Sequence, residues 1–413
     1  MREESRRPAA GHAVPDATGD LADGELEGLP PRDPRRLTVV GIGADGWSGL
    51  SEQAQALVLG ADVVIGAPRQ LGYLPSDVPA VPWPSPLLPG LDALLAEHEG
   101  HRVCVLASGD PCLSGVGSTL VAHGYEVEAL PALSSVTLAR ARLGWSAEET
   151  EVVTLVGRSS ARVARVLAPL RRVLVLGADA AALRSLLTVR GYGESELFAL
   201  ENLGGPEERI SDGWTGDPGP LTVFALECTG PALPLIGIPD DVYAHDGQLT
   251  KRDLRVSALA RLAPSPGELL WDVGAGAGSV GIEWSRMHGL NRAIAIERDP
   301  ERAERIGRNA VDLGVPELEV VTGDAPEALS ALPPPDAVFI GGGVTAPGVL
   351  DACLATGARV VAHGVTLEAE QVLARAYEQY GGELLRIAVE RAAPLGGFTG
   401  WTPARTVTQW SSR

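Results

Sequence analysis

Lysine is all but absent from this chain: Lys251 is the single one among 413 residues, so a cationic pocket must be built almost wholly from arginine. Basic residues are outnumbered, 34 against 53 acidic ones, for a formal net charge of −19. A surface that tracks nucleic-acid phosphates needs clustered Lys and Arg, so nucleic acid is not an expected partner. Although 45% of residues are hydrophobic, no apolar run reaches the roughly 20 residues of a membrane span, and the N-terminus lacks an apolar signal region. A soluble, cytoplasmic protein with no membrane partner is expected. The four cysteines, Cys104, Cys112, Cys228 and Cys353, lack metal-ligand spacing and read as reduced, mostly buried side chains. No metal site is expected. Nor is there a Ser-His-Asp or Cys-His set for nucleophilic catalysis.

What the chain does have is glycine turns at the ends of apolar runs. Leu269-Leu270-Trp271-Asp272-Val273 reads as a buried strand, and Gly274, Gly276, Gly278 and Gly281 follow it. Glycine lets the backbone turn tightly and approach a ligand without a Cβ in the way, and the next helix would offer free N–H groups. Gly276-x-Gly278-x-x-Gly281 fits a dinucleotide fingerprint, while Asp272-x-Gly274-x-Gly276-x-Gly278 fits the S-adenosylmethionine loop of class I methyltransferases. The pattern alone does not choose. Glu297 ends the next strand, Arg292 to Ile296, where either fold places a ribose-binding acid. Asp324 and Ala325 follow the strand Leu318 to Val321, where methyltransferases bind the adenine amino group, which favours methyl transfer.

Further toward the N-terminus, residues 1 to 36 mix Pro, Gly, Ala and both charge signs without periodicity and read as a disordered tail. The strand Leu37 to Val40 enters Gly41-Ile42-Gly43-Ala44-Asp45-Gly46, with no acid placed to complete a Rossmann site. Val103 to Ala107 opens into Ser108-Gly109-Asp110-Pro111, and Tyr125 to Leu130 leads to Pro131-Ala132-Leu133-Ser134-Ser135. The two serines suit either a helix cap for Val136 to Arg142 or a ligand. A lobe boundary falls near residues 147 to 151, giving lobes of about 37–146 and 151–230. Three prolines in residues 231–239 mark a linker to a second domain, 240–413.

These ordered segments, with Ala141-Arg142-Leu143-Gly144-Trp145 and Glu201-Asn202-Leu203-Gly204-Gly205-Pro206, resemble the tetrapyrrole methylase family, in the subgroup that methylates corrin-ring precursors. The resemblance implies two α/β lobes with S-adenosylmethionine in the cleft between them, touched by Gly109, Asp110, Ala132, Ser134 and Ser135. The second half, through Thr250-Lys251-Arg252-Asp253-Leu254-Arg255, Asp272 to Gly281, Asp336 to Gly343 and Val365 to Glu368, is similar to the decarboxylating methyltransferases of the same pathway, of class I, Rossmann-like fold. That likeness assigns Thr250, Asp272, Gly274, Gly276, Gly278, Glu297, Asp324 and Ala325 to a second S-adenosylmethionine site. His363 reads as a satisfied strand-end histidine rather than a catalytic one.

The fused families imply a bifunctional C-methyltransferase of corrin biosynthesis, methylating carbons 5 and 15 and removing the ring C acetate carboxyl. In-line methyl transfer needs alignment more than side-chain chemistry, so the missing triad and metal fit it. The substrate is a polycarboxylated tetrapyrrole, and Lys251, Arg252 and Arg255 are candidate carboxylate clamps, against the plain reading of a solvated helix face. Relatives of the second half tend to oligomerise, which leaves a homo-oligomer open. The alternative is a tetrapyrrole methylase fused to a class I methyltransferase of other specificity, for RNA or a small molecule.

Overall fold

The computed structural model describes residues 36–214 and 218–412, so the expected tail lies outside the described residues except for Arg36. The first sheet is built from β1 (Arg36–Ile42), β2 (Val63–Gly66), β3 (Ala80–Pro82), β4 (Val103–Ser108) and β5 (Glu126–Leu130), in the order β3-β2-β4-β1-β5. Every pairing is parallel. Both faces of such a sheet are covered, which is why its inner strands read as unbroken apolar runs. Val39, Val63, Ile65 and Val105 pack to one side on Leu91, Leu95 and Leu120; Val40, Val64 and Leu106 pack to the other on Ala54 and Val58.

The second sheet holds β6 (Thr150–Thr154), β7 (Arg172–Leu176), β8 (Glu196–Glu201), β9 (Arg209–Asp212) and β10 (Thr222–Glu227), ordered β6-β7-β10-β8-β9. Only β6 and β7 run parallel. The helix Ser135–Leu143 is capped by Ser134, whose Oγ accepts the Thr137 N–H at 3.1 Å, and it stops at Gly144 with φ +68°. Its Val136 and Ala139 pack on Leu174, Leu200, Val223 and Ala225. By packing it joins the second lobe, although it precedes the boundary expected at residues 147–151.

The C-terminal domain adds β11 (Leu269–Val273), β12 (Arg292–Glu297), β13 (Glu319–Thr322), β14 (Ala337–Ile340), β15 (Arg359–Gly364), β16 (Glu383–Ile387), β17 (Glu390–Leu395), β18 (Phe398–Pro403) and β19 (Val407–Ser411). Seven of them form one sheet, β13-β12-β11-β14-β15-β19-β16, while β17 and β18 make a separate hairpin. The first five strands are parallel and β19 is antiparallel to both neighbours. An all-parallel dinucleotide sheet has no such inserted strand. Period-two alternation divides the core: Leu270, Ala293 and Phe339 meet Trp284 on one face, and Trp271, Ile294 and Val338 meet Leu373 and Trp410 on the other.

Residues 231–239 contain no helix or strand, yet both ends are tied down. Tyr192 donates its hydroxyl to Pro231 O at 2.6 Å. At the far end the Gly237 and Ile238 N–H groups donate to Glu283 at 2.7 and 2.9 Å. Glu283 also accepts from Tyr243 Oη at 3.1 Å and from Arg255 Nε at 2.6 Å. Arg255 reaches on to Ile238 O and, at 2.5 Å, to Thr250 O. The two halves also touch directly, through Arg162–Glu317 at 2.7 Å and Arg190–Asp312 at 2.6 Å. Gly314 lies so close that a Cβ there would sit 2.2 Å from Arg165 N.

Arg255 and Glu283 are both fully buried. Removing one partner leaves an uncompensated charge, so Arg255→Met should cost about 3–5 kcal/mol, and Arg255→Met with Glu283→Leu clearly less. Denaturant unfolding of the full chain measures both; a single variant no worse than the double would disprove the pairing.

Candidate functional sites

Two cavities lie at the ends of strands. The first, about 410 Å³, opens between the two N-terminal lobes and is lined from one side by Gly43, Ser108, Gly109 and Gly115 and from the other by Thr154, Asn202 and Thr222. Gly109, at φ +57°, donates its N–H to Ile42 O at 3.0 Å and accepts the Ala132 N–H at 3.1 Å. A Cβ at Gly109 would meet Ser134 Cα at 3.0 Å, so this turn tolerates only glycine. Of the residues expected here, Gly109, Ser134 and Ser135 line the cavity. Asp110 and Ala132 do not: Asp110 Oδ1 accepts the Cys112 N–H at 2.8 Å, and Ala132 serves through its backbone.

The second cavity, about 440 Å³, lies beside the glycine turn after β11 and is lined by Thr250, Lys251, Gly274 and Gly276, with Gly341 and His363 beyond. Gly274 (φ +67°) donates to Ile296 O at 2.9 Å, and Gly276 (φ +60°) donates to Glu297 Oε2 at 2.9 Å. A Cβ on Gly276 would stand 2.8 Å from Gln248 O, and one on Gly274 2.7 Å from Gly342 O. Gly278 N-caps the helix Ser279–Met287 behind the turn. Glu297 closes β12, and the exposed Asp324 follows β13, with Gly323 N–H donating to Glu297 O at 3.0 Å. These acids and Ala325 thus flank the turn at neighbouring strand ends without lining the cavity.

Three expectations need correction. Arg255 cannot clamp a substrate, because burial against Glu283 consumes it; its place at the spacing of Ala258, Leu259 and Leu262 puts it on the helix's inner stripe. Arg252 is exposed outside the cavity, leaving Lys251 of the three. Asp272 is buried behind the turn, where its Oδ2 accepts the Gly281 N–H at 2.9 Å and its Oδ1 has no partner among the described residues. Burial, with the nearby Glu297 charge adding to it, pushes its carboxyl up to about 7.

Other lining residues escaped the sequence reading. Arg69 lines the first cavity; Arg391 and Arg405, from the two feet of the β17–β18 hairpin, line the second. Arg391 pairs with Asp253 at 2.8 Å, the one acid among the lining residues there. His363 also lines this cavity: its Nε2 pairs with Gln409 Oε1 at 2.9 Å, its ring meets Phe339 edge-on at 5.0 Å, and burial lowers its pKa to about 4. It is neutral at ordinary pH. Among the described residues no helix is long and apolar enough to cross a membrane, and no group of His, Cys, Asp and Glu is placed to hold a metal. Cys104, Cys228 and Cys353 are buried and Cys112 is exposed.

Both cavities have the size of a small-molecule site, and each is floored by a glycine turn packed too closely on neighbouring backbone to admit a Cβ. Together the folds define a pair of fused methyltransferase domains. Residues 36–217 match the model of the tetrapyrrole (corrin/porphyrin) methylases, and residues 241–413 that of the precorrin methyltransferase domain. A Sinorhizobium precorrin-6Y C(5,15)-methyltransferase [decarboxylating] is 46% identical over 91% of this chain and 95% of its own length. Its namesake from Mycobacterium tuberculosis is 45% identical over 91% of this chain and 99% of its own. A probable cobalt-precorrin-6B C(15)-methyltransferase (decarboxylating) from Pyrobaculum calidifontis is 35% identical over 41% of this chain and 92% of its own. The chain belongs to the precorrin-6Y C(5,15)-methyltransferase (decarboxylating) family.

An acid whose pKa is raised on folding, from 3.8 to about 7, keeps its proton in the native state after the unfolded chain has lost it. Its contribution to stability is therefore complete at low pH and falls as pH rises from about 4 to 7. Asp272→Asn removes that term. The stability of this variant relative to the parent should increase across that interval in denaturant unfolding; a flat difference would show that Asp272 is ionised in the fold.

Proposed function

We propose that each half binds one S-adenosylmethionine, the lobed half methylating carbon 5 of the precorrin ring and the C-terminal half methylating carbon 15 and releasing the ring C acetate carboxyl as carbon dioxide. One observation supports this above others: two separate cavities, each floored by glycines at positive φ. S-adenosylmethionine supplies a methyl group on a sulfonium, ready for in-line displacement. The chain's part is to position. Gly109, Ser134 and Ser135 shape the first site; Thr250, Gly274 and Gly276 shape the second, with Glu297 and Asp324 at the strand ends as ribose and adenine acceptors. The archaeal relative, named for C(15) methylation with decarboxylation, covers 41% of the chain, a share that fits the precorrin methyltransferase domain at residues 241–413, and so supports giving carbon 15 and the decarboxylation to that half.

The second cavity divides its charge. Lys251, Arg391 and Arg405 hold the carboxylates that remain on the ring, whereas Leu249, Val365, Val389 and Val407, with the neutral His363, make an uncharged wall. A carboxylate paired with a cation is stabilised against loss, so the departing one belongs at the wall, where desolvation favours release. The exposed Leu395 and Phe398, paired across the tip of the β17–β18 hairpin, supply an apolar face for self-association. The enzyme works in the cytoplasm.

Calorimetry on the full chain should count two equivalents of S-adenosylhomocysteine, falling to one in Gly109→Arg and to one in Gly276→Arg. A single equivalent in the parent chain would refute the two-site reading. His363→Lys, which adds a cation to the wall, should slow release of labelled carbon dioxide more than it slows carbon 15 methylation; equal slowing would dispose of the uncharged wall.

A further inference from the structure

Many arginines in this acidic chain are matched with carboxylates, as Arg102 is with Asp62, Arg142 with Glu208 and Arg302 with Asp246. Arg69, on the short helix Pro68–Leu71 after β2, is among those that are not, and it faces a cavity. Among the described residues it has no carboxylate partner. Its Nη2 donates to Ser108 Oγ at 3.0 Å, its Nη1 to Tyr73 Oη at 3.5 Å, and its guanidinium carbon lies 5.9 Å from the Tyr73 ring centroid. Ser108 Oγ also accepts from Gln70 Nε2 at 3.0 Å, and the buried Gln70 in turn accepts the Ala67 N–H at 2.8 Å. The guanidinium is therefore held, half-buried, against the residue that precedes Gly109.

It is also the one charged side chain among the residues lining the first cavity. Holding a partly desolvated cation without an anion is unfavourable, and a chain with 53 acids has many to offer. A guanidinium carries five N–H donors in a planar fork suited to a carboxylate, and Ser108 and Tyr73 occupy two of them. The surroundings leave the remaining donors to whatever enters the cavity.

We propose that Arg69 is the carboxylate anchor of the first cavity, taking one side-chain carboxylate of the tetrapyrrole and so fixing the orientation in which the ring enters beside Gly109. The assignment rests on reading this cavity as the carbon 5 site. Arg69 then sets substrate orientation and selectivity and takes no part in bond making. The methyl donor carries a carboxylate too, and a test must separate the two.

In the full-length enzyme, Arg69→Ala should raise the KM for the precorrin at the carbon 5 step by about 10- to 100-fold, the scale of a charge-assisted hydrogen bond, with kcat within a few-fold. Arg69→Lys should recover most of it, and added salt should raise the KM of the parent more than that of the alanine variant. S-adenosylhomocysteine affinity at the first site should not change, nor should carbon dioxide release by the second half. Weakened S-adenosylhomocysteine binding with an unchanged KM would assign Arg69 to the donor and overturn the proposal. So would kinetics like the parent's, or loss of first-site binding in the lysine variant, either of which makes the residue structural. A parent chain that never methylates carbon 5 would instead refute the reading of the cavity.

Discussion

The buried contact between Glu283 and Arg255 is the constraint on which the second half depends. Glu283 sits on the helix behind the glycine turn and accepts the Gly237 and Ile238 N–H groups and the Tyr243 hydroxyl, so one carboxylate ties the linker to that helix. Arg255 then carries the connection to Thr250 O, at the edge of the second cavity. Such a pair adds little net stability, since desolvation offsets most of the attraction. What it supplies is geometry. The backbone of Thr250 and Lys251 is held by a group that cannot shift without exposing a buried charge.

Glycine performs the matching role on the backbone side. At Gly274 and Gly276 positive φ lets β11 turn back under Gly342 and Gln248, contacts that a Cβ would make impossible. Glu297 closes the same turn by accepting the Gly276 N–H, and Asp272 supports it through Gly281. Two acids are thus engaged with the loop itself. The order of strands explains why: β12 and β11 are neighbours, so an acid at the end of one reaches the turn after the other.

That local logic is legible in a sequence, because a strand, a glycine turn and an acid at the next strand's end are close in the chain. The two-lobe organisation and the order of the fused halves follow from the same kind of short-range pattern. Contacts made by distant closure are less visible. Arg391 and Arg405 share the second cavity with Lys251 only because the β17–β18 hairpin returns its feet there, and Arg69 reaches Ser108 across the pairing of β2 with β4. Arg255 is different: its spacing to Ala258, Leu259 and Leu262 marked it as inward-facing, but a charge on that stripe reads as surface until Glu283 is seen opposite.

The scarcity of lysine and the excess of acid acquire a meaning once the cavities are in place. A formal charge of −19 repels a polycarboxylated ring at a distance. Salt limits that repulsion to about 8 Å at physiological ionic strength, so it opposes approach more than it opposes the bound state. Inside, the balance reverses: the first cavity presents Arg69 alone, and the second presents Lys251, Arg391 and Arg405 against Asp253. Local cations without enough local acids must therefore outweigh a repulsive whole. On the proposed reading of the two cavities, binding is governed by a few short, partly desolvated pairs and little by steering, so the position of each cation, rather than the total charge, decides which ring is held and in what orientation.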